Sequence, residues 1–126
     1  MKDQLVSFET AKLAKEKGFN EPCKTSYNKD KEFTDEWIYF MYNSGFKTSY
    51  TAPTQSLLQR WLREKHGIHI EIYANGSGWG WVITKCGGND STIKDIKSDL
   101  FFNTYKEALE EELYMALKLI PNGTED

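Results

Sequence analysis

Residues 52–85 constrain the fold most, because a helix and a hairpin are written there with no local signal in conflict. Pro53 suits a first helical position, where its missing amide hydrogen leaves no hydrogen bond unmade. Leu57, Leu58, Trp61 and Leu62 recur at helical spacing, and Gly67 supplies the left-handed residue that closes a helix. Ile68, Ile70 and Ile72 alternate as a strand, Asn75-Gly76-Ser77-Gly78 turns the chain, and Trp79, Trp81 and Ile83 alternate on the return. Strands joined so tightly are antiparallel, since a parallel pair needs a crossover of about a dozen residues or more.

Two more helices carry start and stop signals. Ser7 caps a helix over 8–17 with Leu5, Phe8, Ala11 and Ala14 on one face, and Gly18 followed by Phe19 ends it. Asn103 or Thr104 caps a third helix that runs to Ile120, Thr104 with Glu107 making a capping box, and Tyr105, Ala108, Leu109, Leu113, Ala116, Leu117 and Ile120 make its apolar stripe. Pro121-Asn122-Gly123 stops it. Residues 20–36 are polar and read as a long connection. The run Trp37-Ile38-Tyr39-Phe40-Met41-Tyr42 is aromatic and β-branched and reads as a strand, turned by Asn43-Ser44-Gly45 into a second strand over 46–50. Residues 87–92 read as a loop, 93–98 give no clear signal, and 99–102 are a candidate short last strand. The expectation is an α+β fold in one domain over 1–126, with three helices packed on one face of a roughly four-stranded antiparallel sheet, in the order α-β-β-α-β-β-α. A chain of 126 residues buries a sufficient core without disulfide or metal.

Bulk properties remove several function classes. A net charge of −3 argues against a protein that coats nucleic acid, because such binding is driven by displaced phosphate counterions. The start, Met1-Lys2-Asp3-Gln4-Leu5-Val6, lacks the apolar segment of a secretory signal, and no apolar run reaches membrane-spanning length. The expected setting is cytoplasmic, with no membrane partner. Cys23, Cys86, His66 and His69 are too few and too scattered for a zinc site, so no metal and no cofactor are expected, and both thiols are expected to be free.

No catalytic set is legible, and the reading favours a non-enzymatic protein. His69 and Glu71 share a strand face, but acid–base work needs a nucleophile or further carboxylates held around such a pair. The glycines of Gly76-Ser77-Gly78-Trp79-Gly80 lie between two strands, whereas a phosphate-binding glycine loop runs from a strand into a helix. Glu110-Glu111-Glu112 has no accompanying histidine and reads as a solvated acidic face.

Two binding surfaces remain. Aromatic residues make up 14% of the chain, enough that some rings are expected outside one small core. On the hairpin, Tyr73 and Trp79, with His69 and Glu71, form the candidate surface for a protein or small ligand, while Trp81 is assigned to the core and Trp79 to partial exposure. The alternative is phosphate or nucleic-acid contact through Arg60, Arg63 and Lys65, a local patch opposed only by Glu64.

The strings Val6-Ser7-Phe8-Glu9-Thr10-Ala11-Lys12-Leu13-Ala14, Ala52-Pro53-Thr54-Gln55-Ser56-Leu57-Leu58-Gln59-Arg60-Trp61-Leu62-Arg63-Glu64 and Asn103-Thr104-Tyr105-Lys106-Glu107-Ala108-Leu109-Glu110-Glu111 resemble a group of small proteins of Bacteroides-type bacteria, their phages and mobile elements. The shared features are caps and apolar stripes. The group has no established activity, so the resemblance implies a phage or mobile-element setting and carries no catalytic residue with it.

Overall fold

A computed structural model describes residues 5–34, 40–85, 94–98 and 100–120. In chain order the elements are α1 (Phe8–Glu16), β1 (Ser26–Tyr27), β2 (Phe33–Thr34), β3 (Tyr50–Thr51), α2 (Gln55–His66), β4 (Ile68–Asn75), β5 (Gly78–Lys85), β6 (Lys94–Lys97) and α3 (Tyr105–Lys118), with one 3-10 turn at Asn43–Gly45. The α+β class stands. The single four-stranded sheet is not seen, because among the described residues the strands form two antiparallel sheets of three, ordered β2-β1-β3 and β4-β5-β6.

The differences have local causes. Strands β1, β2 and β3 are two residues each, too short to show alternation, so β1 and β2 lie inside what reads as a connection. The expected strand over 37–42 falls mostly on residues 35–39, outside the described ones. Its described end, Phe40 to Tyr42, makes a single antiparallel bridge from Met41 to Cys23 before the 3-10 turn. The strand expected over 46–50 shrinks to β3, because Lys15 donates to the carbonyls of both Phe46 and Ser49 at 2.9 Å and holds that stretch to α1 instead. Lys-Asp-Ile-Lys carries one apolar residue, yet it pairs with β5 as β6. Pro53 precedes the helix rather than opening it. Thr54 is the N-cap, its hydroxyl accepting from Leu57 N at 3.0 Å.

The helices follow their caps. Ser7 Oγ accepts from Thr10 N, Thr104 Oγ1 accepts from Glu107 N, and Gly67 closes α2 at φ 64°. Helices α2 and α3 lie on the inner face of the second sheet, and α1 joins α3 to β3. The inner face carries Ile68, Ile70, Trp81 and Ile83, all buried against Leu58, Leu62, Leu113 and Leu117. Trp61, buried in the same cluster, meets the Phe19 ring edge-on at 5.3 Å.

The acidic triplet of α3 departs from the sequence reading. Only Glu111 behaves as a surface residue, and Glu112 is completely buried. Glu110 is spent inside the fold. One of its oxygens accepts from Ser7 N at 3.0 Å, Ser7 Oγ at 2.8 Å and the Thr10 hydroxyl, and the other accepts from the buried Gln55 at 3.1 Å. A carboxylate from α3 thus neutralises the exposed amides and positive dipole end of α1.

Candidate functional site

The return strand of the hairpin continues past β6. Val82 pairs with Lys97 and Trp79 pairs with Phe102, so two more residues lie between Lys97 and Phe102 than between their partners. Backbone hydrogen bonds of 2.9 and 2.8 Å link Trp79 and Phe102, while Ser98 bonds both polar backbone groups of Trp81. The mismatch brings Leu100 and Phe101 out at the hairpin end, 69% and 40% exposed.

Rings collect around this point on both faces. On the outer face, Tyr73 meets Phe101 edge-on with centroids 6.1 Å apart. On the inner face, half-buried Trp79 meets Tyr105 edge-on at 5.5 Å. Two glycines make room. A Cβ at Gly80 would lie 2.8 Å from the Tyr73 ring and 2.9 Å from Phe101, and one at Gly78 would lie 2.6 Å from the Phe102 carbonyl oxygen. Gly78 also holds φ 127°, which side-chain-bearing residues rarely adopt. Gly78→Ala is therefore expected to destabilise more than Gly80→Ala, since rigid backbone opposes the first and movable rings the second. Paired thermal melts check the order, and near-ultraviolet circular dichroism should change in Gly80→Ala as the Tyr73–Phe101 pair opens.

Of the sequence-derived binding residues, His69, Glu71 and Tyr73 share the outer face, following strand alternation, and Trp79 lies on the opposite face. Trp81 is 2% exposed, in keeping with its assignment to the core. Neither a hydrogen bond nor an ion pair joins His69 to Glu71 among the described residues. Sequence reasoning missed Phe101 and Leu100, and it set Tyr105 in the apolar stripe of α3, whereas the first turn of that helix stands clear of the core and leaves Tyr105 exposed. Their signal was present as an aromatic cluster at 100–105, but which strand they would bridge depends on the register past β6.

The cationic candidates divide. Arg60 and Arg63 are exposed one turn apart along a hollow of about 460 Å³ shared with Ser56 and Gln59. Lys65 points elsewhere, into a hollow of about 430 Å³ with Lys17, Trp61 and His66. In that second hollow, burial and then the charge of Lys85 lower the His66 pKa.

A third groove, of about 620 Å³, runs between α1 and α3 beside the aromatic end of the sheet. Its rings are Phe102 and Tyr114, and its exposed carboxylates are Glu9, Glu107 and Glu111. Glu111 accepts from the Trp81 indole nitrogen at 3.3 Å, tying the groove to the core.

Among the described residues, no three His, Cys, Asp or Glu side chains are grouped to hold a metal ion, and no helix is long and apolar enough to cross a membrane. Cys23 is buried, and that burial pushes its thiol up to about 11, so it is unreactive at neutral pH. Cys86 lies outside the described residues. Comparison with protein-family models, curated proteins and solved structures finds no match for the chain.

Proposed function

We propose that this chain is a non-enzymatic interaction module that binds a protein partner through the aromatic end of the β4-β5-β6 sheet. The observation that carries this reading is the placement of Leu100, Phe101 and Tyr105 on the surface in a chain whose core already holds Phe19, Trp61 and Trp81. Edge-to-face packing fixes Tyr73 with Phe101 and Trp79 with Tyr105, so little side-chain freedom remains to be lost on association. Aromatic rings set rigidly at a surface are the residues that anchor protein interfaces. His69 and Glu71 form a polar flank on the outer face. A phage or mobile-element setting and a cytoplasmic location accord with the sequence resemblance and belong to the same proposal.

The test is site-specific photo-cross-linking in the producing cell. A photoreactive phenylalanine analogue at Phe101 should yield a discrete adduct, the same analogue at exposed Lys29 should not, and Tyr73→Ala should diminish the Phe101 adduct. Equal labelling from both positions, or none from Phe101, removes the reading.

A second reading rests on a separate observation. Arg60 and Arg63 stand side by side and make no ion pair among the described residues, a geometry suited to a phosphate group. If nucleic acid binds there, a mobility shift at low salt should disappear in Arg60→Ala/Arg63→Ala and survive Lys65→Ala. The absence of any shift at low salt excludes this reading.

A further inference from the structure

We propose that the groove between α1 and α3 receives a basic, apolar segment of the partner protein, its cationic side chains set against Glu9, Glu107 and Glu111 and its apolar side chains against Phe102 and Tyr114. This rests on the reading of the chain as an interaction module and names the chemistry of what it binds.

Shape, charge and ring chemistry agree on this occupant. The groove's volume of about 620 Å³ lies within the range of sites that enclose small ligands or anchor side chains. Four carboxylates line it against the single ammonium of Lys106. Glu110 is committed to α1, but the other three have exposed side chains and keep oxygens for a visitor. Among the described residues Glu9 pairs only with Lys31, at 3.7 Å, with both side chains more than 60% exposed. Such a pair is worth little and yields readily to a competing cation. Glu107 uses one oxygen to accept from the Thr104 hydroxyl at 3.1 Å, and Glu111 uses one for the Trp81 indole. Tyr114 already holds the Lys118 ammonium 5.8 Å from its ring centroid, so its ring lies where a cation can reach it. An acidic segment would be repelled by carboxylates that outnumber the one lining ammonium, and a purely apolar one would strand them without solvent. A segment carrying both lysine or arginine and leucine-like residues avoids both penalties. The groove adjoins the aromatic end through Phe102, so one partner can cover both.

Trp81 provides the readout, because its indole N–H donates to Glu111. The probes are a 12-residue peptide of alternating leucine and lysine pairs and its leucine–glutamate counterpart, titrated into the protein labelled with nitrogen-15. The lysine peptide should move the Trp81 indole resonance with micromolar affinity, weakening as salt is added, and the glutamate peptide should leave it in place. Glu9→Gln/Glu107→Gln/Glu111→Gln should weaken the lysine peptide at least tenfold. Each glutamine keeps an oxygen acceptor, so the cap of α3 and the indole hydrogen bond persist and the variant stays folded. A parent-like melting temperature verifies this. Lys29→Ala, at an exposed position outside the groove lining, should leave peptide binding unchanged. Equal effects of the two peptides, or an unmoved Trp81 resonance, overturn the inference. If cross-linking from Phe101 succeeds while Trp81 stays silent, the interaction reading survives and the groove assignment falls. If Trp81 responds but Phe101 yields no adduct, the groove assignment stands and the aromatic end is not the contact.

Discussion

Trp81→Ala is expected to destabilise the protein by about 3–5 kcal/mol, a large share of what holds a domain of this size together. The side chain is 2% exposed in the cluster that includes Leu58, Trp61 and Leu113, so its removal leaves a cavity that rigid secondary structure cannot close. It also leaves Glu111 without its indole donor. Chemical denaturation with the slope held common to both proteins measures the difference. A midpoint within experimental error of the parent would falsify the core assignment and move Trp81 to the binding surface. Trp81→Phe should recover most of the loss, because it refills the cavity while still lacking the indole hydrogen bond.

The stability of the fold should decline steadily from pH 4.5 to pH 9, and Glu112→Gln should flatten that decline. The Glu112 carboxyl is fully buried between α3 and β4, with one oxygen accepting from Glu71 N at 3.1 Å and the other without a partner among the described residues. Burial pushes its pKa up to about 9. The amide of Glu71 opposes the shift, and the Glu71 carboxylate adds to it. The folded state therefore keeps a proton that the unfolded chain, near its usual 4.5, has already lost. Stability from this group is fully present below pH 4.5 and is lost as pH rises through 9, at about 1.4 kcal/mol per unit in between, or roughly 3 kcal/mol by pH 7. Glutamine is neutral at every pH and can still accept from the Glu71 amide. Glu112→Gln should then exceed the parent in stability at pH 8 and approach it at pH 5. Parallel stability profiles for the two proteins across this range would show that Glu112 ionises normally and is reached by water.

Trp81 and Glu112 mark how far the sequence could be read. Strict alternation in β4 and β5 put Ile70, Trp81 and Ile83 on one face, and the cap residues Ser7, Gly67 and Thr104 act where they stand, because these signals act over a few residues; Thr54 went unread as a cap because Pro53 looked like the first helical residue. Glu112 looked like its neighbours Glu110 and Glu111, since on a helix only 100° separates one residue from the next and the apolar stripe of α3 is wide. Which of three adjacent carboxylates turns inward depends on where β4 docks. The two-residue strands were invisible for a related reason. Ser26-Tyr27 has no periodicity of its own and becomes a strand by pairing with both β2 and β3. For the proposed binding surface, alternation placed Tyr73, His69 and Glu71 together on the outer face of the hairpin, as the register has them. Phe101 and the groove were not, because the first depends on a register mismatch and the second on the docking of α1 against α3.

That docking has a consequence for how the chain comes into being. The carboxylate that satisfies the first turn of α1 belongs to Glu110, 100 and 103 residues further along than the groups it binds. At about 5–20 residues per second of synthesis, Thr10 and its neighbours wait roughly 5–20 s on the ribosome before that partner is made. Through that interval α1 has no α3 to pack against. Helix α1, made well before α3, is thus secured only after it, and its early life falls to whatever holds apolar segments in the cell until α3 has been made.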